Sequence, residues 1–414
     1  MRRGASSALA ACWGGDYAPA VDRQVESLIA RADVARAGEW LGQNDARVLE
    51  LQRTITRIPS PTGDEGRRGA FVADRFTALG LEGVSTDKVG NVHGRFGDGD
   101  GAGVVICSHL DTVFAESVPL DVRESNGRIS APGIGDNARG LAAMLTVAEA
   151  FGTCGVRTTR PVTFIASVGE EGEGDLRGVK HLFEDPSFRP HAFIALDGPG
   201  MDRIVHRALG SRRLRATFKG PGGHSWAAFG IANPAHAVGA ATAQIAEIPL
   251  PASPRAALSV VRIGGGGSLN TIPREAWLDF DLRSESESAL ESLYESATKE
   301  LARALDATNR RRAAGTAPLT LHLTPLGARP SGTTAERHPL VQAAIAATRA
   351  LGATPQLAAA STDANVPISA GIPGIALGAG GKGGDAHLES EWYENVNGPA
   401  GIFRALLVAV AAGT

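Results

Sequence analysis

Ser108-His109-Leu110-Asp111-Thr112 closes the most apolar run of the chain, Val104 to His109. Side chains two apart on a strand share a face, so Asp111 can orient or polarise the His109 imidazole. Such a triplet also arises by chance. In Gly133-Ile134-Gly135-Asp136-Asn137-Ala138-Arg139-Gly140 an acid stands between glycines just before a helical pattern. That arrangement serves either as a helix cap, which Asp and Asn both favour, or as a carboxylate around which backbone packs closely beside a metal. Val168-Gly169-Glu170-Glu171-Gly172 sets two carboxylates side by side after another apolar stretch. They repel one another and are costly to bury unless cations neutralise them. Either the turn is an exposed acidic one, with Glu173 and Asp175 following, or one acid points to a metal and the other to a water. Leu196-Asp197-Gly198 ends a further apolar run, and Gly383-Gly384-Asp385-Ala386-His387 closes a glycine-rich loop. The conjunction carries more than any one motif. His109, Asp136, Glu171, Asp197 and His387 all stand at strand ends or glycine turns, with Asp111 and Glu170 beside two of them. Imidazole and carboxylate donors suit Zn, Mn or Co, and a shared carboxylate can hold two ions about 3.5–4 Å apart.

The elements that must position these groups alternate. Helical periodicity covers Ala46 to Ile58 and Gly69 to Leu79, and Asn91 to Phe96 and Val104 to His109 read as strands. Ala138 to Phe151 reads as a helix, Pro161 to Val168 as a strand, Asp175 to Phe183 as a helix and Phe193 to Leu196 as a strand. This is the rhythm of an α/β sheet domain, whose ligand sites lie outside the carboxyl ends of the strands. From Arg212 the rhythm changes. Leu214 to Lys219, Ala257 to Ile263 and Ala276 to Arg283 alternate with period two, and helices are expected over Pro234 to Ile245 and Ser288 to Thr308. The first pattern returns with a helix at Leu340 to Leu351, a strand at Ile375 to Gly378 and a helix at Pro399 to Ala411. The expected division is therefore residues 1–206 with 327–414 as one domain, and 207–326 as a small inserted α+β domain.

Length and charge narrow the function classes. At about 150 residues per domain, 414 residues leave room for more than one core. With 41 Lys plus Arg against 44 Asp plus Glu the net charge is −3, which argues against a nucleic-acid binder held by phosphate neutralisation. No stretch approaches the roughly 18 apolar residues of a membrane span. Cys12, Cys107 and Cys154 are too scattered for a thiolate metal site, so any metal must rest on imidazole and carboxylate. Leu9-Ala10-Ala11-Cys12 resembles a lipoprotein cleavage box, but its apolar lead-in is built of alanine, broken by Ser6 and Ser7, and below the usual ~7–15 residues. A leader on a cytoplasmic enzyme is the preferred reading.

His109-Leu110-Asp111, Gly135-Asp136-Asn137, Glu170-Glu171, Asp197 and the late His387, in this order, resemble the signature of the M20 metallopeptidase family. That family includes tripeptidase T, carboxypeptidase G2, dipeptidases and acetylornithine deacetylase. The resemblance implies a zinc-peptidase-like catalytic domain with a central mixed sheet flanked by helices, and an inserted lid that makes a homodimer. It implies two divalent ions, Zn in the first place and Mn or Co otherwise. Asp136 would bridge them, with His109 and Asp197 completing one site and Glu171 and His387 the other. Asp111 would tune His109, and Glu170 would be the general base. In some relatives the peptide after the bridging Asp is cis. His224 in Gly222-Gly223-His224-Ser225, Asn270 in Ser268-Leu269-Asn270-Thr271, and Arg283 in Asp281-Leu282-Arg283 match positions that contact substrate. Each also has a plain structural role open to it, as a turn cap, a turn residue and an ion-pair partner of Asp281. Ser361-Thr362-Asp363 resembles a segment that supports the ligands.

Aspartate rather than glutamate at 197, and Gly174-Asp175-Leu176-Arg177-Gly178, look more like tripeptidases and dipeptidases. The expected substrate is a small peptide or aminoacyl amide bearing a carboxylate. N-acyl amino acid deacylation is the alternative. The glycine run Gly264 to Gly267 and the cations of Ser211-Arg212-Arg213 depart from the family pattern and leave a 5-nitroanthranilate aminohydrolase-like deaminase as a further enzymatic reading. A non-catalytic binding module on the same fold is the reading from a different class, but such a module is free to lose ligands, and none is missing.

Overall fold

The computed structural model describes residues 18–99, 101 and 103–414; the alanine-rich leader with Cys12 lies outside them. The chain divides into two compact units. One takes residues up to His206, Thr334–Ala358 and Thr362–Thr414, and the other takes Arg207–Thr333 and Ala359–Ser361. Among the described residues no helix is long and apolar enough to cross a membrane.

The first unit is built on a mixed sheet in the order Glu82–Thr86, Val92–Phe96, Val162–Ser167, Val104–His109, Ala192–Leu196, Gly374–Leu377, Arg203–Ala208. The central strands pair in parallel, the outer ones antiparallel. Val104–His109, Ala192–Leu196 and Gly374–Leu377 are buried at every residue, which is why they read as unbroken apolar runs: helices cover both faces. Helix Ala138–Cys154 is buried along most of its length, and Gly155 ends it in the left-handed region at φ 64°. Beneath it Phe164 meets the rings of Phe76, Phe96 and Phe151 at centroid distances of 6.4, 6.2 and 6.2 Å.

Two helices precede the first one expected. Ala18–Ala30 and Ala32–Gln43 pack on the helices Pro339–Ala350, Ala138–Cys154 and Gly398–Gly413. Val25 and Leu28, then Val34, Ala37 and Leu41, form their buried stripe. The spacing, three and four apart, is helical, so the helical part of the chain starts well before Ala46.

In the second unit Ala256–Gly265, Glu275–Ser284, Gly210–Lys219 and Thr320–Arg329 form an antiparallel sheet in that order. Leu214, Ala216 and Phe218, with Leu278, Phe280 and Leu282, alternate onto the face covered by helices Pro234–Ala246 and Glu287–Arg310. Both helices begin at side-chain caps, Asn233 accepting from the Ala235 amide and Ser286 from that of Ala289.

Candidate metal centre

The candidate centre forms where parallel strands of the first unit end. His109 is the last residue of its strand and is buried. Its Nδ1 contacts the Asp111 carbonyl at 3.1 Å and stands 3.5 Å from Asp111 Oδ1. Its Nε2 lies 3.0 Å from Asp136 Oδ1 and 3.8 Å from Asp197 Oδ1. On the other side, His387 Nε2 lies 3.3 Å from Asp136 Oδ2 and 3.0 Å from Glu171 Oε1. Asp136 thus offers one oxygen to each imidazole. The trios His109–Asp136–Asp197, Asp136–Glu171–His387 and His109–Glu170–Glu171 each gather ligand atoms within 4.8 Å of one another. All the residues singled out for metal and acid–base chemistry meet here.

Each is set by its own stretch of chain. Asp136 and Asn137 share the work that either could have done: Asn137 caps helix Ala138–Cys154 through the Gly140 amide, and Asp136 is left to face the imidazoles. Asn137 also accepts from Gly198 and donates to Ser108 Oγ and the Leu196 carbonyl, which ties the turn to the strand end that bears Asp197. The Asp136–Asn137 peptide is cis. Glu170 and Glu171 are buried, so the exposed acidic turn is not what forms. Gly169 and Gly172, at φ 63° and 47°, fold the chain so that both acids turn inward. Asp111 fixes them by accepting from the Glu170 amide on Oδ1 and the Glu171 amide on Oδ2, each at 2.9 Å, and Thr62 Oγ1 donates to it as well. Glu65, clasped by Arg177, accepts from the Gly169 amide and braces the same turn.

The electrostatics follow from crowding carboxylates together. Burial disfavours a charged His109, yet Asp111, Asp136 and Asp197 raise its pKa well above the ordinary imidazole value. Asp136 and Glu171 push His387 up to about 10. Burial pulls Asp136 upward, but the two imidazoles hold it well below the usual carboxylate range, and His109 with the two amides holds buried Asp111 at about 2. The site demands positive charge. The donors present fit divalent ions: Asp136 Oδ1 is buried with no hydrogen-bond partner although His109 Nε2 is 3.0 Å away, as two ligands of one ion would stand.

Asp363, in the segment singled out as supporting the ligands, is buried behind this centre; Ser167 Oγ donates to it, and burial pushes it up to about 6. Sequence reasoning missed Glu391. Its buried carboxylate accepts from the amides of Gly133, Gly135 and Asp136, and burial pushes it up to about 7. Nothing in Glu389-Ser390-Glu391 separates it from a surface acidic loop.

His224, Asn270 and Arg283 lie in the second unit, each with a local role. His224 Nδ1 accepts from the Trp226 and Ala227 amides, and the Asn270 carbonyl accepts from Ser225 across the ladder Gly223–His224 with Thr271–Ile272. Arg283 Nε donates to Asp281 at 2.6 Å.

The family model for Peptidase family M20/M25/M40 matches residues 105–407. A succinyl-diaminopimelate desuccinylase of Corynebacterium glutamicum is 27% identical over 246 residues, 57% of this chain and 65% of its own, so the match spans just under two thirds of that relative. A solved tripeptidase of Staphylococcus aureus superposes with a TM-score of 0.73 at 20% identity, covering 89% of this chain and 99% of that one. A Bacillus subtilis protein described as a dinuclear metal-binding peptidase superposes at 0.63 and 16% identity, covering 89% and 99%. The two superpositions speak for the fold.

Proposed function

Because the chain belongs to peptidase family M20/M25/M40, we propose that it is a metal-dependent hydrolase that cleaves the C–N amide bond of a small peptide or aminoacyl amide. The observation that carries this is the Asp136 carboxylate, divided between His109 and His387 with Asp197 and Glu171 beside them. In this reading His109, Asp136 and Asp197 hold one divalent ion and Asp136, Glu171 and His387 the other, Zn being favoured over Mn or Co. Such ions, when bound, acidify water and polarise a carbonyl. The chain's own residues do the rest. Glu170 takes the proton of the attacking water and returns it to the leaving nitrogen. Asp111 keeps Glu170 and Glu171 in register by their amides and orients His109. His224, Asn270 and Arg283 bind substrate oxygens, Arg283 by clamping a carboxylate, and the second unit serves as lid and dimer contact.

A second reading is favoured by the kinship with desuccinylases: removal of an N-acyl group from an amino acid. Both break an amide at the same centre and differ on its acyl side, which is an amino acid in a peptide or aminoacyl amide and a plain acyl group in an N-acyl amino acid. Purified protein supplied with Zn or Mn, tested on di- and tripeptides, N-succinyl and N-acetyl amino acids and aromatic amines, separates them. Peptide cleavage supports the first reading and cleavage of N-acyl amino acids alone rejects it. Ammonia released from an amine without an amide bond would instead select a deaminase.

A further inference from the structure

We propose that Glu391 is a positioning residue of the metal centre: its carboxylate holds the Asp136 turn and joins it to the loop that carries His387. The proposal rests on the metallohydrolase reading above. Glu391 is 2% exposed. Its Oε1 accepts from Gly135 at 2.8 Å and Asp136 at 2.7 Å, and its Oε2 accepts from Gly133 at 2.9 Å. Three amides converging on one point need more than a single lone pair, and an ionised carboxylate, with two oxygens and no donor, is the side chain that supplies them. The grip extends to the main chain. The Ala131 amide donates to the Glu391 carbonyl, and Trp392 pairs with Ser130 in an antiparallel ladder.

From the other side Glu391 closes the His387 loop. Its amide donates to the Leu388 carbonyl, and the Leu388 amide donates to that of Asp385. Within that loop Asp385 and His387 hold φ of 58° and 68°, the left-handed region that residues with a Cβ enter at a cost and keep only where the surroundings impose it. One residue therefore sets both the turn that presents the shared carboxylate and the loop that brings up the second imidazole. The contact is close enough to dictate glycine at 135: a Cβ there would stand 2.9 Å from Glu391 Oε1 and 3.3 Å from Pro199. Asp111 clips the Glu170–Glu171 turn by its amides in the same manner, so this turn and the Asp136 turn are both held by a carboxylate from elsewhere in the chain.

The test is Zn affinity by competition with a chromophoric chelator, on the full-length wild type, E391Q, G135A and Y393F. Glutamine keeps the length but turns an NH2 toward an amide that needs an acceptor; G135A crowds the same carboxylate from the opposite side. Y393F removes a buried hydroxyl two residues further on, one that donates to Asn395 rather than to the turn's amides. E391Q and G135A are expected to weaken Zn binding about 10–100-fold, as loss of a ligand's supporting partner does, with Y393F binding as wild type does. A folded E391Q that binds Zn as tightly as wild type overturns the proposal, as does an equal loss in Y393F. Should E391Q fail to fold, G135A decides by the same criterion. A wild type without Zn affinity would sink the hydrolase reading itself, and the role of Glu391 with it.

Discussion

Asp136 turns one oxygen to His109 and the other to His387, so neither imidazole can shift without changing what its counterpart meets. Around that shared group the remaining acids have separable tasks. Glu170→Gln keeps the shape of the turn but removes the proton acceptor; turnover should fall about 10²–10⁴-fold while bound metal, measured by elemental analysis, stays at the wild-type level. Activity retained by that variant would take Glu170 out of the proton transfer. Asp111→Asn should do the reverse. Its carboxamide turns a donor toward the Glu170 or Glu171 amide in a buried place, and metal affinity should drop about 10–100-fold. Metal content unmoved after dialysis would confine Asp111 to holding the fold. The ligand types were legible because each follows a buried strand or sits in a glycine turn. Glu391 was not, because its role exists only once residues far apart in sequence fold against each other.

Elements with strong periodicity announced themselves: strand Val104–His109 lies where its apolar run predicts, and helix Glu287–Arg310 differs by a residue or two at its ends. Other elements carry weaker signals. Asn126 and Gly127, at φ 52° and 76°, turn the hairpin Arg123–Ser125 with Arg128–Ser130, and an Asn-Gly pair is a sequence mark of that turn. Thr320–Arg329 carries Pro325, which argues against a strand, yet the strand lies at a sheet edge and its register shifts just after the proline. Helix Ala138–Cys154 shows what close packing demands of an element that supports a site. A Cβ at Gly140 would meet Asn137 Oδ1 at 2.1 Å and the Leu196 carbonyl at 2.5 Å. Gly140→Ala should therefore cost about 1–3 kcal/mol as an overpacked contact, read as a lower melting temperature. An unchanged melt would mean the helix start gives way without strain.

At the scale of the whole molecule the two main apolar clusters among the described residues lie one beneath the mixed sheet and one between the antiparallel sheet and its helices. Every candidate ligand, with Asp111 and Glu170, belongs to the first unit, whereas His224, Asn270 and Arg283 belong to the second. Metal retention and substrate contact should then respond to different cores. Phe280 is buried in the second cluster, 1% exposed, and Phe280→Ala should remove about 3–5 kcal/mol from that unit. The expected result is a lowered unfolding transition by circular dichroism and weakened turnover, the latter because the proposed substrate contacts sit on the loosened unit. Zn affinity at a temperature below that transition should equal the wild type's, since no ligand rests on the disturbed core. If Phe280→Ala lost metal in step with stability, the second unit would be a structural support of the metal centre, and dividing the labour between two cores would be mistaken.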